Sequence, residues 1–128
     1  IDRHPFPGPS LGVRHVGPIC RDTLAMLREA DAIVTDELIK ADWYHKTWQT
    51  FAIFVPVKTV GIKNHQRSYD YVIAIRSINS VDAVTAQVVR LPWELLEKMS
   101  ERIVHEVNGV NRVVYDITAK PPGTIEWE

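Results

Sequence analysis

At 128 residues, with 45% apolar and 24% charged residues, the chain has the size and balance of one soluble globular domain with a single core. A formal net charge of −1 argues against a protein held to nucleic acid by bulk electrostatics, and no apolar run nears the roughly 20 residues needed to cross a bilayer. The single cysteine, Cys20, rules out an intrachain disulfide framework and suits a reducing cytosol, so a cytoplasmic location is expected.

The opening, Arg3-His4-Pro5-Phe6-Pro7-Gly8-Pro9, has no charged-then-apolar leader pattern. Its three closely spaced prolines predict a stiff, extended backbone. This reads as the interior of a longer polypeptide or as a subunit arm spanning a domain boundary; a proline-rich recognition ligand is the competing reading. Residues 11–16, closed by Gly17-Pro18, are consistent with a first strand, which makes residues 1–20 a linker arm with a strand at its end.

From Asp22 to about Asp42 the apolar period is helical. Leu24, Leu27, Val34, Leu38 and Ala41 form a stripe, with Ala30 and Ile33 beside it and Arg28, Glu29, Asp36 and Lys40 towards the other side. Asp22 or Thr23 is placed to cap this helix. Residues 50–60 then turn β: Phe51, Ile53, Val55 and Val57 alternate with Ala52, Phe54, Pro56 and Lys58. Pro56 cannot donate to a ladder, so an edge or a bulge is expected there. After a polar loop at 61–68, residues 69–78 return with Tyr71, Ile73 and Ile75 on one side and Asp70, Val72, Ala74 and Arg76 on the other, completing a long antiparallel hairpin.

Residues 82–89 read as helix or turn. Pro92 opens a second helix carrying Leu96, Met99, Ile103 and Val107, and Asn108-Gly109 closes it. Residues 110–118 form the next strand, with Val113, Tyr115 and Ile117 facing one way, and the tail adds a short strand at 124–127. The fold class is α+β: two helices on one face of a three- to four-stranded, mainly antiparallel sheet, in the order α-β-β-α-β with an optional last β. The opposite face is apolar too, so self-association through it is expected.

No phosphate-binding glycine loop of the P-loop or dinucleotide type is present. Cys20, within Pro18-Ile19-Cys20-Arg21, lacks a glycine elbow and reads as an inert thiol. His4, His15, His45, His65 and His105 have no zinc-ligand spacing. The segment alone is therefore expected to hold no catalytic residue and no metal. Lys58, Lys63, His65 and Arg67 surround the hairpin turn, with Lys120 later. They fit either a solvated hairpin tip or a pocket for a monoester phosphate, in which Gln49 could both donate and accept.

The tail, Lys120-Pro121-Pro122-Gly123-Thr124-Ile125-Glu126-Trp127-Glu128, is unlike a frayed terminus. A prolyl pair stiffens it, and Ile125 and Trp127 gain nothing in water. It is expected to dock on its own domain as an edge strand, on a second chain, or on a ligand.

Six blocks together resemble a known family: residues 3–9; Arg28-Glu29-Ala30-Asp31-Ala32-Ile33; Pro56-Val57-Lys58-Thr59-Val60-Gly61; Arg67-Ser68-Tyr69-Asp70-Tyr71; Asn111-Arg112-Val113-Val114-Tyr115-Asp116; and the run 120–128. In this order they resemble the C-terminal domain of glutamine-hydrolysing GMP synthase, along essentially the whole chain. The resemblance implies that residues 21–128 are a dimerisation domain that pairs through its sheet and completes a site for xanthosine monophosphate (XMP). It implies a glutaminase domain and an ATP pyrophosphatase domain or subunit as partners, with ATP and Mg belonging to the full enzyme and no cofactor to this segment. Nucleic acid and membrane are not implied as partners.

By the same resemblance Arg67, Gln49, Lys120 and Glu126 are XMP contacts, and His65, Thr124 and Ile125 are further candidates. Lys120 and Arg67 would take the phosphate, while Gln49 and Glu126 would hold neutral groups or orient the cations. The chain departs from the family at Lys63-Asn64-His65, where Met-Gly-Asp is usual, and at Ser10, where glycine is usual. His65 thereby replaces an aspartate of the nucleotide site, which leaves open a pure assembly module with a decayed site. A free-standing regulatory nucleotide binder is a third reading.

Overall fold

The computed structural model describes residues 14–80, 82 and 84–127; the proline-rich arm, Ser10 and the first half of the expected opening strand lie outside them. Helix α1 spans Arg21–Lys40 and a single 3-10 turn spans Tyr44–Lys46. Strands β1 (Gln49–Lys63) and β2 (Gln66–Ser80) follow, then the short β3 (Ala86–Val88), helix α2 (Trp93–Glu106) and β4 (Val110–Tyr115). The α+β class and element order agree with the sequence reading.

The central strand is β2. It pairs with β1 along one side in antiparallel register, from Gln49 opposite Ile78 to Lys63 opposite Gln66. Its other side is shared end to end by β4, parallel at residues 71–75, and β3, antiparallel at residues 78–80. The register slips between Val55 and Thr59, where β1 spends four steps against two on β2. Pro56 lies in that interval, as its missing N–H demands. At the hairpin tip Asn64 and His65 both take left-handed backbone, φ 53° and 64°, the arrangement of a two-residue primed turn. Asparagine and histidine are among the residues other than glycine that tolerate it.

Alternation along the hairpin gives the sheet two faces. Ala52, Phe54, Ile73 and Ile75 point at the helices, joining Leu27, Ala30, Ile33, Val34 and Leu38 of α1 and Leu95, Met99 and Ile103 of α2 in the main core. Phe51, Ile53 and Ala74 point the other way and form a second cluster with Val16, Val55 and Ile125. The helices are locked together by Arg102, which donates to Asp36 (2.7 Å), to the buried Glu37 (2.8 Å) and twice to Glu106 (2.7 and 3.1 Å). Gly109, at φ +92°, lets the chain leave α2 for β4 while the Met26 methyl lies 2.5 Å from where a Cβ would be. A side chain there would strain the left-handed backbone and would have to push aside the end of Met26.

Several details differ from the sequence reading: the strand expected at 110–118 stops at Tyr115, and residues 14–16 of the expected opening strand make a single bridge, His15 to Phe54. Helix α1 starts at Arg21 and its N-cap is Cys20; Thr23 instead serves from inside the first turn, its Oγ1 accepting from the Cys20 N–H at 3.4 Å. The helix stops at Lys40, so Ala41 is exposed, and Asp42 at φ 61° turns the chain away. Within 82–89 the regular element is strand β3, too short to show a period of two; Asp82 Oδ1 organises the turn before it by accepting from the amides of Val84 and Thr85. Residues 124–127 are not a strand. The Thr124 and Ile125 carbonyls are taken by an arginine side chain, described below, where a neighbouring strand would have been needed.

The two-faced core predicts unequal responses to truncation. Ile103→Ala, at a fully buried α2 position, should lower the unfolding free energy by about 3 kcal/mol in urea titration. Ile117→Ala, at a position 76% exposed, should change it by less than about 0.5 kcal/mol.

Candidate functional site

Beyond β4 the chain turns back across the face of the sheet that the helices leave uncovered. Asp116 extends the β4 pairing through its N–H to the Ile75 carbonyl, and Lys120 makes a two-way backbone bridge with Ala86 at 3.0 Å in each direction. The Gly123 N–H then closes a turn onto the Ala119 carbonyl at 2.9 Å. Residues 124–127 run over the second core cluster, where Ile125 packs against Phe51, Ile53 and Ala74. The expected docking of the tail is thus on its own domain, by a loop.

The anchor beneath the tail is Arg76, whose side chain is 0% exposed. Its Nη2 donates to the Thr124 carbonyl (2.7 Å) and its Nε to the Ile125 carbonyl (2.9 Å). Its Nη1 lies 3.0 Å from Asp116 Oδ2, an ion pair set off the hydrogen-bonding direction. The same Asp116 oxygen accepts from the Trp127 indole N–H at 2.8 Å. Burial pushes the Asp116 carboxyl up, but the Thr118 amide, the Trp127 indole and the Arg76 charge outweigh it and hold the group below the ordinary aspartate value.

A second cation lies close by. Arg14 sits over the Phe51 ring at 4.4 Å and pairs with Asp31 at 3.5 Å. Burial disfavours its charge, and the carboxylates of Asp31 and Glu126 oppose that, which places Glu126 in the field of Arg14. Asp31 also accepts the Ala52 N–H at 2.9 Å, tying this corner to the edge of β1. Gln49 is on the same face, two residues before Phe51 and opposite Ile78; it is 1% exposed, and its Oε1 has no hydrogen-bond partner among the described residues. A buried acceptor left in that state costs about 1–3 kcal/mol until a donor reaches it. Beside this corner, Trp48, Ser80, Thr85, Ala86, Lys120 and Ile125 line a cleft of about 230 Å³.

The sequence-predicted residues therefore fall into two places. Gln49, Lys120, Thr124, Ile125 and Glu126 lie at the base of the hairpin, with Glu126 half-buried. Arg67 and His65 lie at its tip, both exposed, with Arg67 opposite Ile62. Thirteen residues of strand separate Gln49 from Ile62, roughly 40 Å at strand rise, so within one chain the tip does not meet the base. Of the other tip cations, Lys63 donates to the Val110 carbonyl (3.1 Å) and Lys58 lies over the Tyr71 ring (5.2 Å). The sequence reading missed Arg76, Arg14 and Asp116 as members of this region. A signal for Arg76 was present: it is a charge set between the apolar Ala74 and Ile78 on one strand face.

Elsewhere, a larger cleft of about 420 Å³ between α2 and β4 is lined by Trp93, Leu96, Glu97, Glu101 and Val113 and by no cation, which suits an anion poorly. Cys20 is exposed, and hydrogen bonds from Thr23 lower its thiol pKa. His15 touches Thr23 Oγ1 at 2.7 Å but is buried against Phe54, with no contact to the thiol. Among the described residues no group of three or more His, Cys, Asp or Glu could hold a metal, and no helix is long and apolar enough to cross a membrane.

Because the folded-state pKa of Asp116 is depressed, its contribution to tail docking is complete above the unfolded value of about 3.9 and is lost as pH falls through the lower folded value. The indole N–H resonance of Trp127 should thus hold its shift from pH 8 to about 5 and move towards the free-indole position only below about pH 4.

Residues 36–127 match the family described as the GMP synthase C terminal domain. The chain is 61% identical over 126 residues to the glutamine-hydrolysing GMP synthase of Carboxydothermus hydrogenoformans, covering 98% of this chain and 25% of that protein. It is 58% identical to the enzyme of the same name from Idiomarina loihiensis (98% and 24% covered). It is 57% identical to the one from Nitratidesulfovibrio vulgaris strain DP4 (100% and 25% covered). The chain thus spans about a quarter of the length of these relatives.

Proposed function

The chain belongs to the GMP synthase C-terminal domain family, and on that premise we propose that it completes the XMP site of a whole GMP synthase and joins two copies of that enzyme. The whole enzyme would convert XMP, ATP and glutamine to GMP, AMP, diphosphate and glutamate. ATP would adenylate the purine 2-oxygen, and ammonia from glutamine would displace AMP. Those steps, with ATP and Mg, belong to the glutaminase and pyrophosphatase domains or subunits; the residues of this segment bind and orient. The setting would be cytoplasmic, with no nucleic-acid or membrane partner.

The observation that carries the nucleotide role is the cluster at the hairpin base. Lys120 lines the cleft with Ile125, Glu126 follows in the tail within the field of Arg14, and the buried Gln49 lies on the same sheet face, its Oε1 without a donor among the described residues. Lys120 donates to the monoester phosphate, Gln49 Oε1 accepts from a ligand N–H or hydroxyl, and Glu126 orients these groups beside Arg14. At about 230 Å³ the cleft is smaller than the ~300–1,000 Å³ usual for a ligand, as befits half of a site closed by another domain. Arg67 and His65 contribute to the phosphate only where the tip of a second copy or the pyrophosphatase domain brings them to such a base. The Asn64-His65 departure, the one feature favouring a pure assembly module, lies at the tip and leaves the base cluster untouched.

Dimerisation is supported by Val57, Val60, Ile62 and Tyr69, which leave an apolar surface on the arm of the hairpin, 46–78% exposed. Light scattering after size exclusion should give a dimer at micromolar concentration; a monomer at high micromolar would remove this part of the reading. For the site, Lys120→Ala in the whole enzyme should raise the KM for XMP roughly 10- to 100-fold, the weight of one charge-assisted hydrogen bond. Titrating XMP into the isotope-labelled domain should move the amides of Lys120 and residues 124–126, and inosine should not.

A further inference from the structure

The tail has little of its own to hold it in place. One backbone bridge at Lys120 and the half-buried Ile125 are its attachments to the sheet, and Trp127 remains 40% exposed. Residues 124–127 make no ladder with a strand. A loop of that kind has many conformations of similar energy unless something selects one. The selection falls to Arg76, from below. Its planar fork meets two consecutive carbonyls, Thr124 and Ile125, at 2.7 and 2.9 Å, while its third nitrogen meets Asp116. Two consecutive carbonyls directed at one guanidinium restrain φ and ψ of Ile125 between them, and so where the backbone delivers the next residue, Glu126.

Covering the sheet face does not require an arginine. An apolar side chain opposite Phe51 would fill the position and avoid burying a charge, a replacement that is often neutral or stabilising. What an apolar residue lacks is the means to hold two carbonyls in a set orientation. We propose that Arg76 is a positioning residue for the nucleotide: acting through the Thr124 and Ile125 carbonyls and Asp116, it sets where Glu126 stands, without touching the ligand. The proposal rests on the XMP reading above.

The test is steady-state kinetics on the whole GMP synthase carrying R76M, R76K, a deletion of residues 121–128, or R76M together with that deletion. R76M should raise the KM for XMP about tenfold while kcat and the KM for ATP stay within about twofold. R76K, which keeps the charge but loses the planar fork, should recover part of that loss. In the tail-deleted enzyme R76M should add less than about a twofold further rise, because the two changes act through one element. If the R76M penalty persists in full after deletion, or the KM for ATP rises equally, the residue is structural and the proposal falls. If the deletion raises the KM for XMP and R76M does not, the proposal also falls while the nucleotide reading stands. If the deletion itself leaves the KM for XMP unchanged, the nucleotide reading of the tail is the part that fails. Where R76M gives no folded protein, R76K decides, an unchanged KM for XMP being the overturning result.

Discussion

Burying one guanidinium on the central strand constrains everything on the face that the helices leave open. β2 has β1 along one side and β4 and β3 along the other, so its side chains at 72–78 are buried whichever face they take. At Arg76 that position holds a charge with five donors and no acceptor. Water cannot serve them at zero exposure, and unmet donors on a buried ion are among the costliest defects a fold can carry. The stretch just after β4 answers this: two main-chain carbonyls accept from Nε and Nη2, and a carboxylate at its start balances the charge beside Nη1. The tail's path is the consequence. It crosses the sheet where its carbonyls can reach Arg76, and Ile125 covers Phe51 and Ala74 on the way.

The same need explains why the tail was legible in one respect and not in another. Ile125 and Trp127 in a proline-stiffened terminus announce docking, since neither belongs in water. The manner of docking depended on where a side chain 48 residues earlier sends its donors, and local pattern does not encode that. A strand at 124–127 was the economical guess because ladders are the usual way to satisfy a terminal backbone. The hairpin and the two long helices were legible because period and turn chemistry act locally: Pro56 at the register slip, Asn64-His65 at the turn, Gly109 after α2. Strand β3 was not, because three residues carry no period and its identity comes from pairing with residues 78–80. The separation of Arg67 from Gln49 needed only the strand rise and the length of the hairpin, both available from the sequence.

Charge is distributed so that each end of the domain has a different character. At the base, Arg76 and Arg14 are both buried, and each is matched by carboxylates from elsewhere in the chain: Asp116 for one, Asp31 and Glu126 for the other. Such pairs fix geometry more than they add stability. On the helix side Arg102 joins Asp36, Glu37 and Glu106, clamping α1 to α2 behind the sheet. At the tip the polar groups face solvent: Arg67 and His65 are exposed, on an arm whose apolar residues are exposed as well. Rigid, paired charges at the base and open ones at the tip suit two tasks, holding a small ligand and meeting a macromolecular surface.

A site built on a tail gains a property that one built on strand side chains lacks. Strand side chains are fixed by the ladder, whereas the tail is fixed by a few directional contacts converging on Arg76 and Asp116. Segments with few apolar contacts are the first to open in a folded protein, at a cost well below that of global unfolding. On the XMP reading proposed above, a ligand that grips Lys120 and Glu126 would bind only the closed arrangement, so part of its binding energy would be spent on closing whatever fraction of tails is open. Each contact made by Arg76 would reduce that fraction in advance. The arginine would then strengthen binding from beneath the tail, with its effect in substrate affinity more than in the chemical step.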